Sequence, residues 1–321
     1  MIRWGMIGAG DVTEVKSGPA FNKVANSTLV ALVRRNAEKA KDYASRHNVP
    51  YWYCDAAAML CREDINAVYI ATPPSSHKQY ALAALQAGKD IYLEKPMALN
   101  AAESREILQA ADKYGRRVCL AHYRRELPCF KKVKELIDSG SIGDIQYVRS
   151  ELLQPEASGI IAKADEDWRT NPAISGGGLF HDLAPHQIDL MVHYFGLPVD
   201  FSGLACARKP GVADLVSGQM EFQKGSLFQG IWCFTAPRSE ARDKCMLLGT
   251  RGKIEFSFFS AESVCLSTEE KNESYNFSNP ENIQFPMIEK VVKYFSGEGD
   301  NPCTGQDGLK VMEIMDTFTA S

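Results

Sequence analysis

Two short stretches of this 321-residue chain carry residue types suited to moving a proton and holding a charged oxygen. The first is Glu94-Lys95-Pro96. Proline confines the residue before it to extended backbone, so Lys95 is pinned, and its ammonium can hydrogen-bond a reacting hydroxyl or carbonyl oxygen. The second is Ser175–Gly196, SGGGLFHDLAPHQIDLMVHYFG, which holds three of the chain's six histidines. On a helix, at about 100° per residue, Asp182, His186, Asp189 and His193 share an arc of about 60°, with Ala184, Ile188, Met191 and Phe195 opposite. An aspartate one turn ahead of a histidine is placed to orient an imidazole as acid and base. Plainer readings fit the same letters: a solvated lysine at a strand end, and an amphipathic helix with Asp182 as its N-terminal cap. Zinc held by Asp182, His186 and Asp189 would lack an evident further ligand, so no metal is expected.

A third stretch, MIGAGDVT, places Gly8 and Gly10 directly after an apolar run and before a helical one. In a dinucleotide loop of the form G-x-G-x-x-G the first glycine makes the turn, the second lets backbone approach pyrophosphate, and the third lets helix pack on strand. Gly8 and Gly10 fill the two roles that meet cofactor, with Asp11 and Val12 opening the helix. Thr13 stands where the third glycine belongs, and a small residue can fill the packing role in part. Gly18-Pro19 predicts that this first helix is short or kinked. Where an NAD site usually carries a carboxylate, at the end of the second strand, this chain has Arg34 and Arg35. Two guanidiniums there suit the 2′-phosphate of NADP through charge-assisted bonds, so NADP is favoured over NAD.

These residues need a scaffold, and the first part of the chain supplies one in outline. Short apolar runs at Ile2–Ile7, Leu29–Arg34, Ala67–Ala71, Asp90–Glu94 and Arg117–Ala121 read as strands. Helical stretches at Ala37–His47, Ala56–Cys61, Ser75–Ala87 and Ala101–Tyr114 alternate with them. That is a doubly wound parallel α/β sheet of Rossmann type, expected over residues 1–121. Beyond it, Ile145–Leu153 reads as a strand and Leu183–Phe195 as a helix. Several β-rich runs between Phe201 and Leu266 follow without helices between them. Ile283–Phe295 and Gly305–Thr319 read as closing helices. Residues 122–321 are therefore expected to form an α+β domain on an open, mainly antiparallel sheet.

Composition bounds the partners. The net charge is −4 with no basic stripe, which argues against nucleic acid. No apolar run approaches the ~18 residues of a membrane helix, and the N-terminus lacks the layout of an export signal. Nine cysteines without a C-x-x-C pair suit buried reduced thiols in a cytoplasmic protein.

With these residues in view, the chain resembles the Gfo/Idh/MocA oxidoreductases. The resemblance is carried in order by Gly8-Ala9-Gly10, ATPPSSH (Ala71–His77), EKP (Glu94–Pro96), Trp168-Arg169 and GGGLFHDLAPHQID (Gly176–Asp189). It implies an NAD(P)-dependent dehydrogenase or reductase acting on a sugar, cyclitol or related polyol. Lys95 matches the family's active-site lysine, His186 its acid/base histidine and Asp182 the carboxylate beside it. Thr72, Pro73 and His77 match the segment lining the cofactor, and Glu94 belongs to the same lining. The stretch Ala121–Pro128 looks like the dihydrodiol dehydrogenase-like subgroup, and it makes Tyr123 and Arg124 candidates for the domain junction or the substrate pocket; the matching Trp168 and Arg169 are candidates for the substrate pocket as well. The resemblance also implies a homodimer or homotetramer formed through the second sheet. Arg34 departs from the Asp that NAD-preferring members often carry. Two rival readings remain at this level: redox-assisted glycoside cleavage with retained NAD, and a non-enzymatic dinucleotide sensor on the same fold.

Overall fold

The computed structural model of the chain describes residues 1–156, 158–160, 168–208 and 212–320. It divides into two units, one of Met1–Tyr123 with Pro280–Met312 and one of Arg124–Asn279 with the stretch from Glu313 onward.

In the first unit six parallel strands form a sheet: β1 (Ile2–Ile7), β2 (Ser27–Val33), β3 (Tyr51–Tyr53), β4 (Ala67–Ile70), β5 (Asp90–Leu93) and β6 (Val118–Leu120), in the order β3-β2-β1-β4-β5-β6. Every residue of β4 and β5 is buried, as expected of strands covered by helices on both faces. The sequence pattern missed β3, whose three residues YWY are too few to show a period. The helices are α1 (Asp11–Val15), α2 (Ala20–Lys23), α3 (Ala37–Arg46), α4 (Ala56–Leu60), α5 (His77–Gln86) and α6 (Ala101–Tyr114). As Gly18-Pro19 foretold, α1 is one short turn, and the chain restarts as α2. Side-chain caps set the starts of α3 and α6: Asn36 Oδ1 accepts from Lys39 N at 2.9 Å and Asn100 Oδ1 from Glu103 N at 2.9 Å. Gly115, in the left-handed region at φ 60°, ends α6.

The second unit is built on eight strands: β7 (Ile145–Leu153), β8 (Pro198–Cys206), β9 (Leu215–Phe222), β10 (Leu227–Cys233), β11 (Arg242–Gly249), β12 (Gly252–Phe256), β13 (Ser263–Thr268) and β14 (Asn272–Asn276). Their order is β14-β13-β12-β11-β7-β10-β9-β8, and all neighbours are antiparallel except β7 with β10. The helices are α7 (Pro128–Asp138), α8 (Pro172–Ser175) and α9 (Gly178–Phe195). The helix α7 had no counterpart in the sequence reading. Alternation puts Val216, Met220, Phe228, Trp232, Leu247 and Ile254 in the core, where Phe180 of α9 meets Trp232 edge to face at 5.3 Å. The other face of the sheet exposes Leu204, Leu227 and Leu248.

Two helices close the chain, α10 (Phe285–Phe295) and α11 (Gly305–Thr319). The domain expected to run from 122 to 321 differs here, because Pro280–Met312 groups with the first unit. The reason is packing: Phe295 lies 5.7 Å from Trp4 in an aromatic cluster with Phe21, Tyr69 and Tyr92, and Cys119 bridges Thr304 alongside β6. The break near residue 121 falls within two residues of Tyr123. All nine cysteines are free, but Cys54, Cys61, Cys206 and Cys265 are exposed, so the expectation of burial holds only for part of the set. No described helix is long and apolar enough to cross a membrane.

Candidate active site

The order of the first sheet reverses direction between β1 and β4, and in open α/β sheets the crevice at that point, beyond the carboxyl ends of the strands, takes the ligand. Four predicted groups leave the sheet at that end: Gly8–Val12 after β1, Arg34-Arg35 after β2, Thr72-Pro73 after β4 and Glu94-Lys95 after β5. Gly8 adopts φ +99°, and a Cβ on it would lie 2.8 Å from the carbonyl of Ala71 and the nitrogen of Thr72. Only glycine lets the loop pass that close to the end of β4. A Cβ on Gly10 would meet nothing within 4 Å. That open space, beside the first-turn amides of α1 that have no intrahelical partner, fits a pyrophosphate.

Thr13 is fully buried, with Oγ1 donating to Gly10 O at 2.7 Å. The close approach assigned to a third glycine occurs at Gly18 instead. A Cβ there would lie 2.2 Å from both Thr13 O and Tyr43 Oη, two atoms themselves hydrogen-bonded at 2.8 Å.

Arg34 is half-buried and Arg35 exposed. Among the described residues neither guanidinium pairs with a carboxylate. Both cations stand at the end of β2 with donors to spare.

The EKP stretch divides its work. Across residues 91–98 only Lys95 is not buried, and the Lys95–Pro96 peptide is cis. Glu94, expected to line the cofactor, turns inward. Its Oε1 accepts from Tyr69 Oη at 2.6 Å and Gln284 Nε2 at 2.7 Å, and its Oε2 accepts from Lys95 N at 3.2 Å. Burial, with the Glu94 charge adding to it, holds the Tyr69 hydroxyl well above the usual tyrosine range, so it stays a donor. His77, also expected to line the cofactor, is fully buried. Its Nε2 meets Thr72 O at 2.7 Å and its Nδ1 meets Pro96 O at 2.9 Å. It ties together the two loops that face the crevice. Burial lowers its pKa, against the opposing pull of those carbonyls. Thr72 Oγ1 accepts from Ser76 Oγ at 2.8 Å, which leaves the threonine's own proton to donate. Tyr123, at the end of this unit, is buried.

In the second unit α9 starts at Gly178, so Asp182 is an interior residue and not the N-terminal cap the sequence allowed. Nor is its polar side a solvated face: His181, His186 and Asp189 are buried, as are Ala184, Ile188 and Met191 opposite, while Phe195 at the helix end is half-buried. Asp182 Oδ2 accepts from Arg169 Nε at 3.1 Å, and Trp168 stacks under the same guanidinium at 4.4 Å. His186 follows one turn after Asp182, 5% exposed, with the ring of Phe259 edge-on at 6.1 Å. Asp189, grouped with these by spacing, is instead held by Arg125, a residue the sequence reading passed over. Arg124 is buried, donating to Phe258 O with its guanidinium over Phe259 at 4.8 Å. Asp182 and His186 stand one turn apart on α9, with Asp182 held by Arg169.

Known proteins resemble the chain along nearly its whole length. The family model described as GFO/IDH/MocA, oxidoreductase family, NAD-binding Rossmann fold, matches residues 2–122, and the GFO/IDH/MocA C-terminal domain matches residues 130–255. Oxidoreductase P35 of Formosa agariphila is 49% identical, over 99% of this chain and 98% of its own. Trans-1,2-dihydrobenzene-1,2-diol dehydrogenase of Xenopus laevis is 25% identical, over 98% and 96%. Among solved structures, levoglucosan dehydrogenase in complex with NADH and levoglucosan superposes with a TM-score of 0.84 at 22% identity, covering 99% of this chain and 96% of that one.

Proposed function

This chain belongs to the GFO/IDH/MocA oxidoreductase family, and from that premise we propose that it oxidises and reduces a carbinol carbon of a sugar, cyclitol or related polyol with NADP as the preferred dinucleotide. The observation that carries the reading is Lys95. It is the one half-exposed residue in a buried run, at the end of β5 and on the same side of the sheet as the Gly8–Val12 loop. Gly8–Val12 would hold the pyrophosphate, Thr72 and Pro73 the neighbouring wall, and Arg34 and Arg35 the 2′-phosphate. The bound nicotinamide supplies hydride exchange at carbon. In oxidation an imidazole nitrogen of His186 takes the hydroxyl proton, and Asp182, anchored by Arg169, stabilises the imidazolium. Lys95 Nζ donates to the reacting oxygen and shares its developing charge. Names among the relatives, a dihydrodiol dehydrogenase and a levoglucosan dehydrogenase, support a vicinal diol or cyclic sugar as substrate class.

Assembly through the second sheet belongs to the same reading. Leu204, 78% accessible, and Leu227, 53%, are large apolar side chains on the exposed face of that sheet, which a second copy of the chain would cover. Static light scattering at a monomer mass of 35.5 kDa would count against it.

The deciding experiment is a panel of polyols and aldoses with NADP and NAD, read at the nicotinamide absorbance. It is paired with Lys95→Ala and His186→Ala, each expected to lower kcat ~10²-fold or more with dinucleotide affinity retained. Unchanged turnover in both variants would overturn the assignment.

A further inference from the structure

The segment Glu281–Gln284, far along the chain from any predicted site, lies across the ends of both elements that face the cofactor crevice. Asn282 Nδ2 donates to Val15 O at 2.7 Å, and Gln284 N donates to Lys16 O at 3.1 Å. Those two carbonyls are the last of the short helix that follows the glycine loop, where no further turn satisfies them. Lys23 Nζ fixes Asn282 from its other side, donating to Oδ1 at 2.7 Å. Two residues on, the Gln284 side chain donates to Glu94 Oε1 at 2.7 Å. Gln284 is 1% exposed, and Glu94 7%. Tyr69 completes the link: its hydroxyl lies 2.6 Å from Glu94 Oε1 and 3.1 Å from Ser17 Oγ, just beyond the same helix.

We propose that Gln284 is a positioning residue for the reaction and Asn282 one for the dinucleotide, both set by this returning segment. The proposal rests on the reading of Lys95 as the group that meets the reacting oxygen. Glu94 has two roles in the clamp. One carboxylate oxygen is gripped by Gln284 and Tyr69, and the other accepts the backbone N–H of Lys95. Gln284 therefore fixes the plane of the carboxylate, which fixes the backbone from which Lys95 projects. Reaction rates fall steeply with small displacements of a reacting group. A one-residue ladder thus joins the helix behind the pyrophosphate loop to the lysine on the next strand but one. No carboxylate–ammonium contact is needed for it.

Gln284→Leu, which removes the donor, and Gln284→Glu, which keeps the shape but offers an acceptor to a carboxylate, test the first half. Both are expected to lower kcat ~10-fold while KM for the polyol stays within ~2-fold. Asn282→Ala tests the second half. It is expected to raise the dissociation constant for NADP, measured by quenching of protein fluorescence, ~5-fold with kcat at saturation within ~2-fold. Wild-type kcat in both Gln284 variants, or wild-type dinucleotide affinity in Asn282→Ala, overturns the proposal. So does a lowered melting temperature with both kinetic parameters intact, which marks a purely structural role. Should Gln284→Leu not fold, the isosteric Gln284→Glu decides. Wild-type protein that fails to bind either dinucleotide refutes the proposed function itself, an outcome distinct from any of these.

Discussion

Arg125 and Asp189 form a two-point ion pair inside the second unit: Nη2 donates to Oδ1 at 2.7 Å and Nε to Oδ2 at 2.9 Å, with 5% and 1% of the side chains exposed. A pair so placed contributes little net stability relative to apolar residues, yet breaking it strands a charge. Arg125→Met is expected to cost ~3–5 kcal/mol, read from urea unfolding, and the double variant Arg125→Met/Asp189→Leu to recover much of that. A loss below ~1 kcal/mol in the single variant would show that Asp189 finds another partner.

The two glycines of the loop should respond oppositely to alanine. At Gly8 a methyl collides with backbone of Ala71 and Thr72 and the φ of +99° is strained for any other residue, so Gly8→Ala should destabilise the fold by ~1–3 kcal/mol. At Gly10 a methyl enters open space at an ordinary φ of −121°. Gly10→Ala should leave stability within ~0.5 kcal/mol and, on the proposed seating of the pyrophosphate, weaken dinucleotide binding ~10-fold or more. Calorimetry with and without NADP separates the two, and equal melting losses would disprove the distinction.

Arg34→Ala and Arg35→Ala should each raise the dissociation constant for NADP ~10-fold and leave that for NAD within ~2-fold, the loss of one charge-assisted contact to the 2′-phosphate. A wild-type preference for NAD in the same titration would remove the premise.

Acid should unfold the protein through His181. Burial holds this imidazole down at about 4, while Gly177 backbone pulls weakly the other way. The unfolded chain therefore binds a proton below about 6.5 that the folded chain refuses until about 4. Stability from this group is complete above pH 6.5 and is lost as pH falls toward 4, by about 3 kcal/mol. His77, lowered for the same reason, adds to the slope with the same sign. Urea midpoints at pH 7, 5.5 and 4.5 should fall less steeply in His181→Leu than in wild type; parallel slopes would exonerate His181.

Much of this could be read from the letters. Alternation and caps located nearly every element of the first sheet, because buried parallel strands leave long apolar runs and Asn or Gly marks the helix ends. The short edge strand Tyr51–Tyr53 could not be seen, since three residues make no period. The site was legible as a set of residue types and less so as directions. Glu94 and His77 lie inside motifs that face the crevice, yet each side chain points into protein, where its partners are contributed by Tyr69, Gln284 and two carbonyl oxygens. Spacing alone grouped Asp189 with Asp182 and His186, but Arg125, sixty-four positions away, claims it. Such pairings depend on tertiary contacts, and one-dimensional periodicity does not encode them. The role of Thr13 was legible only in part. It was expected to absorb a lost glycine by packing, and the close approach turned out to be met by Gly18.

The return of Pro280–Met312 to the first unit has a consequence for how the protein is born. On a ribosome the strands of the first sheet emerge early, but Phe295 and Gln284, which cover Trp4 and Glu94, come only after residues 124–279 have been made. At ~5–20 residues per second that interval is on the order of ten seconds. Throughout it, the half of the molecule made first stays incomplete, while the half made second can close nearly all of its sheet. A nascent chain stalled at residue 260 should therefore leave the first 123 residues open to protease, and release to full length should protect them. The unit that leads in sequence is thus completed only after every strand of the other has been made.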